Sequence, residues 1–313
     1  MPVIRVNATE DSAALHSGTG SVAGVLAGCQ AKGDATDGPV IVMIHGYKYH
    51  PHHPLNCPHD HVLALHPRAR RGIAHGWPRH LGFGTGRADE GLAIAFGWQA
   101  RGALRHAQQR AALAGQALAR ILADQKRIAP QRRVHVIAHS LGIEVALEAL
   151  HHLPEGSIDR IIAMTGACFL SRARAALDTA AGRSAEFINV TSRENDAFDF
   201  LFERLIAPPR PGDRAIGHGL DAGNALTLQL DCPGTLQHLR RIGVPVAAPQ
   251  RRICHWSAYT RPGVLRFYND LMRRPQALPL ELIRSGLPQT PARRWSRLFA
   301  APALPLPFVQ RAT

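Results

Sequence analysis

The sequence predicts an α/β fold built on a mainly parallel, doubly wound sheet, and three observations carry that reading. Short apolar, β-branched runs alternate with helical stretches along the chain. One of those stretches is long enough to show a clear helical period. A pentapeptide with serine at its centre, Ala138-His139-Ser140-Leu141-Gly142, joins a strand-like run to a helix-like one. Strands and helices alternating at this spacing place helices on both faces of a parallel sheet.

Taken in order, residues 1–8 alternate enough to form a first edge strand. Residues 9–37 are rich in Gly, Ala and Asp and are expected to be irregular or to hold a short strand near Ser21–Leu26. A continuous apolar run predicts a buried strand over 39–45. Residues 47–90 are rich in His, Pro and Gly and read as a long loop with one short helix at most. Loops of that length are usually functional or partly disordered. Gly91–Trp98 returns to strand, and a helix follows over 101–128. Its apolar residues Leu104, Ala107, Ala111, Ala114, Leu118 and Ile121 step by three or four, while Arg105, Gln109, Arg110, Gln116 and Arg120 take the other side. Strands are expected at 133–139, 160–164 and 186–191, with helices at 141–152 and 172–181. Ala225–Leu230 is strand-like, and a closing helix begins at Pro262-Gly263-Val264.

From Pro275 the chain turns Pro-rich, and residues 289–313 carry four arginines and no acid. The expected organisation is one domain over 1–274, with 47–90 as a lid-like insertion and 275–313 as a Pro/Arg-rich C-terminal extension.

Composition narrows the class. A chain of 313 residues with 45% apolar content suits one large α/β domain, or a domain with a lid. No stretch approaches the ~20 continuous apolar residues needed to span a bilayer, so no transmembrane segment is expected. The N-terminus lacks a basic region followed by an apolar core, so no secretory signal is visible. Five cysteines (29, 57, 168, 232 and 254) include no C-x-x-C pair, and a reduced, cytoplasmic protein with mostly inert thiols is the simplest reading. The formal charge of +14 comes from arginines spread from Arg5 to Arg311, with only 6% aromatic residues. Without zinc-finger spacing or an aromatic RNA-binding signature, that charge reads as a solvated basic surface, and no specific nucleic-acid partner is expected.

The chemistry centres on Ser140. A serine at the apex of a strand-to-helix turn, with small residues two before and two after, is the pattern of a nucleophile elbow. Bulky flanking side chains would clash in the strained turn, which explains Ala138 and Gly142. The helix N-terminus behind the hydroxyl favours negative charge. Upstream, the strand over 39–45 runs into His45-Gly46-Tyr47.

The strand-His-Gly, the elbow, and a later Asp and His resemble the α/β-hydrolase superfamily over roughly residues 38–272. Within it the chain is similar to bacterial α/β-hydrolases of unassigned substrate, including the group known as domain of unknown function 900. The resemblance implies a sheet of α/β-hydrolase type and a chain order of nucleophile, acid, histidine. It also implies that no metal or organic cofactor is needed. Ala138 stands where Gly is usual, a replacement also found in some bacterial lipases of the superfamily.

Under that order Ser140 is the expected nucleophile. Asp196, where the turn after strand 186–191 gives way to helix, is the expected acid, and it would serve equally as a helix N-cap. Glu194 and Asp199 are less well placed. Of the 18 histidines, His255 lies after the last strand and before the closing helix and is the expected base. His218, flanked by glycines, is the runner-up. The backbone amides of Leu141 and Tyr47 are expected to form the oxyanion hole, with His45 and Gly46 supporting that loop and the side chain of His139 pointing away from Ser140.

Residues 45–80 hold nine of the 18 histidines, with Cys57 nearby. Their spacing matches no recognised metal motif, so a lid with mostly exposed imidazoles is expected rather than a zinc site. These features together predict a serine hydrolase acting on a carboxylic ester or related small-molecule acyl substrate. Two other readings stay open: a binding module of the same fold with a silent triad, and binding of an anionic surface through the basic tail.

Overall fold

Eight apolar and β-branched runs form one sheet in the computed structural model, which describes residues 3–31, 38–68 and 76–289. The strands are β1 (Val3–Thr9), β2 (Ser12–Leu15), β3 (Val40–Ile44), β4 (Leu92–Gly97), β5 (Val134–His139), β6 (Arg160–Met164), β7 (Glu186–Thr191) and β8 (Ala225–Gln229). Their order is β2-β1-β4-β3-β5-β6-β7-β8. Only the β1–β2 pairing is antiparallel.

Period-two alternation divides the interior into two cores, one on each face of the sheet. On β3, Val40, Val42 and Ile44 face one core, while Ile41 and Met43 face the other. The first core receives α1 (Val22–Ala31), α3 (Leu104–Ile128), α4 (Gly142–Leu150), α5 (Leu170–Leu177) and α6 (Ala180–Ser184). The second receives α2 (Trp77–His80), α8 (Pro233–Arg241), α9 (Ser257–Thr260), α10 (Val264–Arg273) and α11 (Leu280–Ser285). One further helix, α7 (Asp196–Leu205), follows β7 and stands beside the carboxyl edge of the sheet. On α3 the buried residues include Ala107, Ala111, Ala114, Leu118 and Ile121, the apolar stripe that the periodicity predicts.

Several elements depart from the sequence reading. Ser21–Leu26 is not a strand: α1 begins at Val22, its glycines Gly24 and Gly28 mask its helical character, and Ser21 Oγ just before it accepts the Gly24 amide at 3.0 Å. β1 is not an edge strand, because β2 turns back and covers it. The helix expected over 172–181 is two, since Thr179 ends one and caps the next by accepting the Gly182 amide at 3.0 Å. Within 47–90, Cys57, Val62, Leu63, Trp77, Leu81 and Phe83 are buried and anchor the segment to the body of the fold. Its imidazoles are not uniformly exposed: His59 is buried, while His52 and His66 face solvent. Leu278, Leu280 and Ile283 belong to the second core, so packing continues past the boundary expected at residue 274. The arginine-rich stretch from residue 290 onward lies outside the described residues.

No helix among the described residues is long and apolar enough to cross a membrane, and all five cysteines are unpaired. Parallel order points the carboxyl ends of β3, β5 and β7 the same way, which is where ligands bind in open α/β sheets.

Candidate active site

Ser140 links β5 to α4 with a φ of +53°, a left-handed conformation rare for a residue with a side chain. Its backbone is pinned on both sides: the Ser140 amide donates to Met164 O at 3.0 Å, and Ser140 O accepts from Ala167 N at 3.0 Å. Two close approaches explain the neighbouring glycines. A Cβ on Gly142 would lie 2.4 Å from His45 O, and one on Gly46 would lie 2.8 Å from Ser140 Cβ. The loop after β3 therefore lies directly on the elbow. Neither the Tyr47 nor the Leu141 amide has a hydrogen-bond acceptor among the described residues.

His45 builds that loop rather than meeting the serine. Its Nε2 accepts the Trp98 amide at 3.0 Å, so the proton sits on Nδ1 and is donated to Gly46 O at 2.9 Å. Burial pushes its pKa down to about 3, and the ring stays neutral. His139 is also buried and held down to about 4 by that burial. Its Nε2 donates to His255 O at 3.1 Å, tying the end of β5 to the loop that carries His255.

His255 completes the contact. Its Nε2 lies 2.9 Å from Ser140 Oγ, and its Nδ1 lies 2.6 Å from Asn195 Oδ1. Asn195 Nδ2 donates to Asp199 Oδ1 at 2.9 Å. That bond orients the amide, which leaves Oδ1 to accept Nδ1–H and leaves Nε2 free to accept the serine proton. The half-buried ring stacks on Phe198 at 4.5 Å between centroids. Burial, then the charges of His139 and Lys48, push its pKa well below the ordinary histidine range.

The expected acid is displaced by one residue. Residues Arg193–Asn195 form a 3-10 turn before α7, and that extra turn brings Asn195 rather than Asp196 against the imidazole. Asp196 is buried in the first turn of α7, where a carboxylate suits the helix N-terminus. Glu194 is not a partner of His255 either. It forms a buried ion pair with Arg261, accepts from Ser192 Oγ at 3.1 Å, and its backbone carbonyl holds Cys254 N at 2.8 Å. His218 is engaged elsewhere, 3.1 Å from Glu203 and 3.0 Å from Arg214.

A cleft of about 1360 Å³ opens over this group, lined by Ser140, His255, Tyr47, Leu141, Lys48 and one face of α7. Among the described residues no group of His, Cys, Asp or Glu is arranged to hold a metal ion.

Residues 31–173 match the DUF900 family model, described as an alpha/beta hydrolase of unknown function. The match agrees with the fold: a mostly parallel eight-stranded sheet with flanking helices, of α/β-hydrolase type. The DUF900 segment contains β3, the His45-Gly46 loop, the elbow and α4, and it stops before Asn195 and His255. No curated protein matches the chain.

Sequence reasoning misses Asn195, Lys48 and the α7 face. One trace of the first is legible: Asn195 and Asp199 are four apart, a spacing at which side chains meet on a helix.

Proposed function

We propose that this chain is a serine hydrolase that cleaves a carboxylic ester or related acyl compound, with Ser140 as nucleophile and His255 as base. The observation that carries this reading is the 2.9 Å contact between Ser140 Oγ and His255 Nε2, made by an imidazole whose other nitrogen is already occupied. Nothing in folding requires a strained serine to face a neutral, desolvated histidine. Catalysis does.

Ser140 Oγ gives its proton to Nε2 as it attacks the acyl carbonyl. The resulting oxyanion is received by the Leu141 and Tyr47 amides; losing one such donor costs about 3 kcal/mol where it has been measured. The charged imidazolium keeps its Nδ1–H on Asn195 Oδ1, while the Asp199 carboxylate polarises the amide from behind. Nε2 then protonates the departing alcohol. Water, deprotonated by the same nitrogen, releases the acid and restores Ser140.

Hydrolysis of a short activated ester such as 4-nitrophenyl butyrate tests the reading. The purified protein should turn it over, and Ser140→Ala should lower kcat/KM by a factor on the order of 10³ or more. Full activity in that variant would remove Ser140 from the mechanism. A binding module with a silent triad would show no serine-dependent turnover at all.

A further inference from the structure

The cleft is asymmetric, and the asymmetry is chemical. β3 is hydrogen-bonded to one side of β5, while β7 lies on the other side beyond β6. The loop after β3 and the helix after β7 therefore flank Ser140 from opposite directions. On the β7 side, Phe198, Leu201, Phe202 and Leu205 recur at helical spacing along α7, and all four line the cleft. Leu201 is 50% exposed and Leu205 is 63% exposed, and Trp256 beside the catalytic histidine is 51% exposed. Large side chains this open, gathered along a catalytic cleft, mark a surface that an apolar ligand covers.

On the β3 side stands Lys48, one residue beyond the Tyr47 amide. Its φ is +76°, again in the left-handed region. The conformation is held from both ends: Lys48 N donates to Ala100 O at 2.8 Å, and Arg101 donates to Lys48 O at 3.2 Å. A glycine would adopt this geometry without strain, yet a lysine occupies it, exposed at the cleft wall. Lys48 has no ion-pair partner among the described residues, nor does Arg251, which also lines the cleft. Of the two acids that line the cleft, Glu194 is paired with Arg261, while Asp199 sits behind the Asn195 amide on the α7 side. Lys48 and His255 line the same cleft, and after burial and His139 the lysine charge adds to what disfavours the protonated imidazole.

Resting on the serine-hydrolase reading, we propose that the substrate is an amphiphilic ester whose acyl chain lies along the Phe198–Leu205 face of α7 and whose alcohol portion carries an anionic group met by Lys48. Attack by Ser140 then releases the anionic alcohol on the Lys48 side, and water releases the fatty acid from the α7 side. The recognised anion is a phosphate or carboxylate on a monomeric molecule.

Two esters that differ only in this respect, 1-octanoylglycerol 3-phosphate and 1-octanoylglycerol, make the test. Both are assayed as monomers, by octanoate release. The phosphate-bearing ester should be preferred by about tenfold or more in kcat/KM. The preference should shrink with added salt, fall toward one in Lys48→Gln, and largely survive in Lys48→Arg. Equal or reversed preference in the unaltered protein, or an unchanged ratio in Lys48→Gln, would overturn the proposal. So would a preference that appears only when the ester sits in anionic vesicles, which would assign the charge to a lipid surface. A fluorophosphonate separates the two levels. If it labels Ser140 while neither octanoyl ester is cleaved, the substrate class falls and the hydrolase reading stands; if it neither labels nor is any ester cleaved, both fall.

Discussion

Asn195 holds the position against His255 Nδ1 where a carboxylate is expected, and this changes what the imidazole can do. An amide oxygen fixes the tautomer but carries no net charge to stabilise the imidazolium; Asp199 acts only at one remove, through the amide. With its pKa held well below the ordinary value of 6.5, His255 stays neutral and basic throughout the neutral range and loses that capacity only in acid. The kcat/KM profile should therefore be flat through pH 7, with its acid limb centred below pH 6.5. Asn195→Asp would place a carboxylate against Nδ1 of the imidazole and should move that limb to higher pH. Asn195→Ala should lower kcat/KM on the order of 10²-fold. An acid limb in Asn195→Asp superimposable on that of the unaltered protein would contradict the assignment. The sequence hides this residue for a physical reason. Chain order points to a carboxylate after β7, but whether residue 195 or 196 faces the histidine depends on the 3-10 turn, which no local pattern announces.

Among the elements, the Ser140–His255 contact depends on two loops that are bolted together. The turn after β7 supplies Asn195, and the segment before α9 supplies His255. Glu194 joins them through its buried ion pair with Arg261 and its carbonyl bond to Cys254 N, while Arg261 Nη1 also reaches Leu230 O at 2.6 Å. Arg261→Met should leave a buried carboxylate without its cation and cost about 3–5 kcal/mol of stability, read from urea denaturation. Adding Glu194→Leu should recover much of that loss. A cost within 1 kcal/mol for the single variant would show that the pair does not hold the loops. The elbow and the strand before it are legible because their geometry is local: a small residue, a serine and a glycine between strand and helix. Residues 47–90 are less legible because their anchors, such as Trp77 and Phe83, are buried by distant parts of the chain. α1 is obscured by its own glycines.

At the scale of the whole molecule, alternating strands and helices suffice to predict the doubly wound sheet, since buried parallel strands read as unbroken apolar runs. What they leave out is the contact between residues far apart in sequence, and the site is made of those. Burial of imidazoles has a global consequence as well. His45, His135 and His139 are buried with pKa values pushed down to about 3, 3 and 4. The unfolded chain takes up these protons near pH 6.5, while the folded chain does so only well below it. The unfolded state therefore binds more protons within that window, and stability is lost as pH falls from about 6.5 toward 4. The melting temperature should drop by several degrees between pH 7.5 and pH 5. A constant value across that range would mean that these rings are not desolvated.

Covalent trapping measures most directly whether His255 makes the Ser140 hydroxyl nucleophilic. Intact-mass analysis after exposure to a fluorophosphonate should show a single adduct, mapped to the Ser140 peptide. The adduct should be lost in Ser140→Ala and form at least about 10²-fold more slowly in His255→Ala. A folded protein that acquires no adduct, or one that is labelled equally well without His255, would contradict the account.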